Sequence, residues 1–298
     1  MNSFINSQGF GTIGMMTVLL GAVANIILDP IFIFTFHMGV RGAALATILS
    51  QFLSALWIVK FLTGGKAILR LKTSAFRLKK QRMKNIVALG MSGFTMAITN
   101  SSVQIMYNAS LQHYGGDLYV GIMTVINSVR EIISMPVNGL TNSAQPVMGF
   151  NYGAGEYKRV KRAIVFISVV SIAYTTVMWL FVHGFPEFFI RIFNQDADLV
   201  REGIPAMRIY YFGFFMMSLQ FAGQSVFVAL GKAKNAVFFS IFRKVIIVIP
   251  LMLVLPLMFG LGTDGVLMAE PVSNFIGGAA CFITMLITVW PELSGKKK

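Results

Sequence analysis

Residues 11–36 read GTIGMMTVLLGAVANIILDPIFIFTF, an apolar run with a single ionisable side chain, Asp29. A helix needs roughly 20 residues to cross about 30 Å of hydrocarbon, and this run exceeds that length. It offers no polar face to water, so it predicts a membrane span. Working outward, seven further apolar stretches fall at about 43–62, 86–110, 119–149, 163–182, 204–230, 236–259 and 265–290. Hydrophobic residues make up 56% of the 298 positions and charged residues 12%, with mean hydropathy +0.72. Soluble domains do not have that balance. The expectation is an all-α integral membrane protein with eight transmembrane helices.

The formal charge of +14 is distributed unevenly. Lys66, Arg70, Lys72, Arg77, Lys79, Lys80, Arg82 and Lys84 occupy one gap between spans. Lys158, Arg159, Lys161 and Arg162 occupy another, Lys232 and Lys234 a third, and Lys296, Lys297 and Lys298 end the chain. The alternate gaps hold Arg41, no cation around Asp117, Arg191 and Arg201 among acids, and no cation beside Asp264. Positive residues stay on the cytoplasmic side during insertion, so both termini are expected there. A nucleic-acid partner would need the cations on one folded surface with interleaved aromatics, and this pattern argues against one. Cys281 is the only cysteine, which excludes a disulfide or thiolate metal site within one chain.

Residues 36–52, FHMGVRGAALATILSQF, and residues 259–275, FGLGTDGVLMAEPVSNF, are related at a constant offset of 223. Phe36/Phe259, Gly39/Gly262, Gly42/Gly265, Ala46/Ala269, Ser50/Ser273 and Phe52/Phe275 are identical. Both copies run from inside to outside and back, which makes this a parallel repeat of the kind that builds two-lobed transporters. The second copy begins near Ile86 and has six spans, whereas the first has two. The expected organisation is a two-helix remnant of an N-terminal lobe at 1–63 and a basic cytoplasmic linker at 64–84. A complete six-helix C-terminal lobe follows at 85–292, with a basic tail at 293–298. Subtracting the offset suggests the last eight spans of a twelve-span protein, with Met1 internal or a mis-called start; a naturally short eight-span chain is the other reading.

Several motifs agree in order with one family. Asn2–Gly9, Asn25-Ile-Ile-Leu-Asp29-Pro30-Ile-Phe-Ile-Phe34 and Gly39-Val40-Arg41-Gly42 through Gln51 resemble the fifth and sixth helices of MATE (multidrug and toxic compound extrusion) transporters. Pro136-Val-Asn-Gly139 and Gln145-Pro146-Val-Met-Gly149-Phe-Asn151-Tyr-Gly153-Ala154 resemble the end of the eighth helix and the loop after it. Gln224 with Ala229-Leu230-Gly231, and Ile249-Pro250, resemble the tenth and eleventh. The resemblance covers essentially the whole chain and is closest to the bacterial branch, but helices one to four are absent. It implies two six-helix lobes around a central cavity, and an antiporter exporting small organic, often cationic, compounds in exchange for H⁺ or Na⁺, with no further cofactor. It also implies that Asn25, Asp29 and Thr47 belong to a first-lobe cation site.

The residues themselves point the same way at Asp29. An intramembrane carboxylate costs about 2.5 kcal/mol or more and usually marks an ion pathway. Asn25 lies one turn earlier on the same helical face. Pro30 deprives the Ile26 carbonyl of its amide partner. Asp29 and Thr47 flank the turn at Gly39 at similar depth, roughly 12–15 Å from the surface at ~1.5 Å per residue. A carboxylate, amide oxygen, hydroxyl and carbonyl converging there would suit a hard cation or a proton. The alternative role for Asp29 is a hydrogen-bonder that stabilises the Pro30 kink.

In the second lobe the intramembrane charges singled out are Arg130, Glu131 and Glu270, with Arg130 the expected partner of Glu270 or Glu131. They read either as an ion pair joining helices or as a second proton site. Asn100, Gln104 and Asn108 form a stripe facing a cavity or another helix. His37, His113 and His183 form no metal-ligand pair, and no paired carboxylates, nucleophile elbow or phosphate loop occurs, so no enzyme is expected. Two alternatives to antiport are a lipid-linked oligosaccharide flippase, which would need several cavity Arg or Lys residues where only Arg130 fits, and a non-transporting truncated remnant. The partners expected are small organic substrates and the lipid bilayer.

Overall fold

A computed structural model describes residues 2–70 and 80–294, and among them every regular element is helical. Six helical runs are long and apolar enough to cross a membrane, or seven if one bent pair counts as a single crossing. The chain divides into two compact units, residues 1–83 and 84–298.

The first unit holds α1 (Asn2–Ser7), α2 (Gly11–Pro30) and α3 (Gly39–Thr63). α2 continues beyond Pro30 as a π-helical turn, Ile31–Thr35. Ile5, Ile58 and Leu62 form its small core, edged by Phe10 and Phe61 with ring centroids 5.3 Å apart. Ser54 Oγ donates to the Thr17 carbonyl at 3.1 Å and ties α3 to α2. Such polar ties matter here because lipid supplies little hydrophobic drive between helices. Residues 71–79 of the expected linker lie outside the described residues. Its last part is helical, because α4 (Lys80–Gly153) starts at Lys80 in a run of good helix formers.

α4 contains both the 86–110 and the 119–149 stretches. Its helical path breaks at Gly116, where φ is 65° and ψ −163°. Val103, Tyr107 and Leu111 before the break share one core with Ile122, Met123 and Ile126 after it. α5 (Tyr157–Gly184) and short α6 (Pro186–Arg191) follow. The stretch read as 204–230 is two helices, α7 (Ala197–Tyr211) and α8 (Phe214–Ala229), bent by 44°. α7 starts earlier than hydropathy suggested because Asp196 caps it, accepting from the amides of Asp198 and Leu199 at 2.9 and 3.0 Å. The Tyr211 hydroxyl donates to the Ile126 carbonyl at 3.0 Å and Ser225 Oγ to the Thr141 carbonyl at 2.9 Å, fastening α7 and α8 to α4.

The last two stretches are each interrupted by a wide turn. α9 (Ala233–Ile241) runs through a π-helical segment, Phe242–Val248, into α10 (Ile249–Val254). α11 (Gly262–Ser273) runs through another, Asn274–Gly278, into α12 (Ala279–Val289). Each of the three π segments lies within a few residues of a proline: Pro30, Pro250 and Pro271. Proline has no N–H for the i→i−4 ladder, and a widened turn lets the ladder resume one residue out of step.

The repeat is structural as well as sequential. Gly39 and Gly262 both adopt left-handed backbone, with φ 54° and 51°. Three residues on, the amides of Gly42 and Gly265 donate to Met38 and Leu261, both at 3.4 Å. A Cβ on Gly42 would lie 2.7 Å from the carbonyl carbon of Phe32, and one on Gly265 would lie 2.7 Å from that of Leu255. Phe32 and Leu255 are themselves related by 223, so the same close helix approach occurs in both units.

Candidate functional site

In the first unit, Asp29 Oδ1 and Asn25 Nδ2 are enclosed and have no hydrogen-bond partner among the described residues. Asp29 sits one residue before Pro30, where α2 gives way to its π turn. An unpaired polar atom of this kind costs about 1–3 kcal/mol, and a cation bound at the Asp29 carboxylate oxygen would remove that group's share. Thr47 stands on the exposed side of α3, and its hydroxyl donates to the Ala43 carbonyl at 2.9 Å. That bond is local and leaves the oxygen lone pairs available as acceptors.

In the second unit a charged cluster is buried where the two proline-interrupted helices meet. Glu270 on α11 is 2% exposed, and Arg243 and Lys244 in the Phe242–Val248 turn are 5% and 7% exposed. Arg243 Nη1 donates to Glu270 Oε1 at 3.0 Å, and Lys244 Nζ lies 3.7 Å from the same oxygen. Arg243 Nη1 also reaches Asn274 Oδ1, and Ser273 Oγ at 3.5 Å. Ser273 Oγ turns back to the Glu270 carbonyl at 2.7 Å. In an α-helix, neighbouring residues point about 100° apart. Within the π turn both Arg243 and Lys244 reach the interior.

This corrects the sequence-based pairing. The partners of Glu270 are Arg243 and Lys244, which the sequence reading missed, and not Arg130. Arg130 is half-buried on α4 and forms no ion pair with Glu270. Glu131 is exposed. Two signals were available: Glu270 required a buried cation, and Pro250 announced an irregular helix. The count of one intramembrane cation in this unit is corrected as well. Asn100 and Asn108 are exposed and Gln104 half-buried, with Gln104 Nε2 3.5 Å from Asn108 Oδ1. That stripe lies outside the core of its own unit.

The chain's similarities to known proteins are consistent across sequence and structure. A family model described as MatE matches residues 92–254. The multidrug export protein MepA of Staphylococcus aureus (strain MSSA476) is 26% identical over 294 residues, covering 97% of this chain and 62% of the relative. The MepA protein of Staphylococcus saprophyticus is 27% identical over 263 residues, covering 88% of this chain and 57% of the relative. The chain thus spans less than two thirds of the length of these curated relatives. Among solved structures, a MATE protein in complex with MaL6 matches with a TM-score of 0.89 at 20% identity, over 99% of this chain and 66% of that one. The outward-facing conformation of a multidrug resistance MATE family transporter of the MOP superfamily also matches with a TM-score of 0.89, at 21% identity, over 99% of this chain and 65% of that one. At these identities the structural matches speak for the fold.

Proposed function

Since the chain belongs to the MatE family, whose members are membrane transporters and not enzymes, we propose that it forms part of a secondary antiporter. Its substrates would be small organic compounds, often cationic, exported in exchange for H⁺ or Na⁺. Multidrug export by the MepA relatives supports the substrate class. The observation that carries the coupling reading is Asp29, a carboxylate in a long apolar span with one enclosed, unpartnered oxygen. Asn25 and Thr47 complete the proposed cation site.

The proposed topology has eight crossings with both termini cytoplasmic, in the bacterial cell membrane. The 60-residue run Phe94–Gly153 has the length of two crossings and is interrupted at Gly116; with α7 and α8 taken as one crossing, the count reaches eight. Residues 1–63 would then belong to an N-terminal lobe, 64–84 to a basic linker, 85–292 to a C-terminal lobe and 293–298 to a basic tail. In the second unit, we assign the Arg243–Glu270–Lys244 cluster to holding α11 against the turn before α10, because Arg243 and Lys244 both meet Glu270 Oε1 and Arg243 also meets Asn274, although Glu270 Oε2 and Arg243 Nε are buried without a hydrogen-bond partner among the described residues.

The test is Asp29→Asn in the full-length protein, assayed for export of a fluorescent organic cation from proteoliposomes under an imposed H⁺ or Na⁺ gradient. Gradient-driven export should disappear while substrate binding persists. Undiminished export would overturn the coupling role and leave Asp29 as a stabiliser of the Pro30 kink.

A further inference from the structure

We propose that the second unit carries a groove for one anionic phospholipid, its phosphate held by Lys161 and Arg162 and an acyl chain laid along α5. The groove is open to its surroundings and offers about 570 Å³ above its lining residues. One wall is Trp290. The other is a double row on α5 at helical spacing: Lys161, Val165 and Val169 in one line, Arg162, Phe166 and Val170 in the next. Both rows begin with a cation and continue with apolar side chains, the order in which a phospholipid presents phosphate and then hydrocarbon. Val170 follows Lys161 by nine residues, about 14 Å along the helix and close to half of a ~30 Å hydrocarbon core. The groove therefore has the depth of one leaflet.

The cations are arranged for an anion from outside the protein. Lys161 Nζ sits 5.1 Å from the centroid of the Trp290 ring and 2.6 Å from Ser294 Oγ. An ammonium carries three donors, so a held Lys161 keeps two for a phosphate and loses little freedom on binding it. Arg162 is exposed and makes no hydrogen bond or ion pair with any described residue. Its guanidinium suits bidentate contact with a phosphate. Exposed Lys158 and Arg159 lie one turn back and add positive potential at the same end. Glu292, the nearest carboxylate along the chain to Trp290, is taken by Lys232 Nζ at 2.5 Å and by the Tyr152 hydroxyl. Val165, Phe166 and Val169 are 48%, 59% and 60% exposed, so the apolar wall is free for a chain. Under the orientation proposed above, the basic end lies in the cytoplasmic leaflet, which carries the negative surface potential.

The inference does not depend on antiport, and failure of its test would leave that reading untouched. The experiment is native mass spectrometry of the detergent-solubilised full chain with dioleoyl phosphatidylglycerol, dioleoyl phosphatidylcholine, dihexanoyl phosphatidylglycerol or inorganic phosphate. Long-chain phosphatidylglycerol should bind roughly tenfold tighter than the phosphatidylcholine. The short-chain lipid should bind at least about tenfold more weakly, because it leaves the apolar rows uncovered. Arg162→Gln removes a side chain without internal partners, so it leaves folding intact and should abolish most of the preference; Lys161→Gln should remove the remainder. Equal binding of the two long-chain lipids, a preference surviving in both variants, or inorganic phosphate competing as well as the long-chain lipid would each overturn the proposal.

Discussion

Arg243 passes Gly277 where the glycine has no side chain: a Cβ at position 277 would lie 2.6 Å from Arg243 Cγ and 3.0 Å from Cδ. Gly277 belongs to the Asn274–Gly278 turn and Arg243 to the Phe242–Val248 turn, so two π segments are fitted to each other at this crossing. The long Arg243 stem needs that clearance for its head to reach Glu270 and Asn274. Gly277→Ala should therefore displace the guanidinium and destabilise the second unit by about 1–3 kcal/mol, the usual cost of overpacking. Gly139→Ala is the control, since nothing lies within 4 Å of its Cβ position. Thermal unfolding in detergent should show a lower Tm for the first variant and an unchanged or raised Tm for the second. Equal behaviour would show that the Arg243 stem yields without cost.

Glu270→Gln leaves Arg243 and Lys244 buried without an anion. Removing one member of a buried ion pair costs about 3–5 kcal/mol, so this variant should be markedly less stable. Adding Arg243→Met should recover part of the loss, a non-additive result that marks direct coupling. Because the cluster is assigned to packing, the pH profile of transport by the full-length protein should keep its shape in Glu270→Gln. A shifted profile would mean that Glu270 exchanges protons during turnover.

The C-terminal end of the second unit is fastened by Glu292, which accepts from both Tyr152 and Lys232. Lys232 and Glu292 are 27% and 29% exposed, so water screens their attraction. Lys232→Met should lower stability by no more than about 1 kcal/mol, an effect that shrinks as salt is raised. Unfolding midpoints at low and high ionic strength check this. A loss independent of salt would show that Lys232 acts through packing of its stem.

The membrane spans were legible because hydropathy follows from local composition. The repeat was legible because close helix approach demands glycine at fixed positions, as at Gly42 and Gly265. The Arg243–Lys244 pair was not. The dipeptide lies just beyond Lys232 and Lys234 and reads as a continuation of that basic flank. Both are buried in the π turn, where Glu270 and Asn274 on the neighbouring helix receive them. Asp29 stood out as a carboxylate in an apolar run, yet its orphaned oxygen emerged only from the packing of α2. The 44° bend between α7 and α8 has no proline of its own to announce it. Tertiary contacts also place Gly213 against the backbone of Pro271, where a Cβ would lie 3.0 Å from the carbonyl oxygen.

The two halves of the repeat should respond alike to one further substitution. Gly42 abuts the carbonyl group of Phe32, and Gly265 abuts the Leu255 carbonyl and the Pro256 nitrogen, with would-be Cβ distances of 2.6–2.8 Å. In both cases the obstruction is backbone, which cannot swing aside as a side-chain end can. Gly42→Ala and Gly265→Ala should each force the helices on either side of the turn apart and cost about 1–3 kcal/mol. Residues 1–83 and 84–298 are separate compact units, so the two losses should add within about 0.5 kcal/mol when combined. Protection of amide hydrogens against exchange gives the readout: Gly42→Ala should loosen α2 and α3 only, and Gly265→Ala should loosen α10 and α11 only. If either substitution loosened both units, the repeats would be coupled more tightly than their separate packing implies.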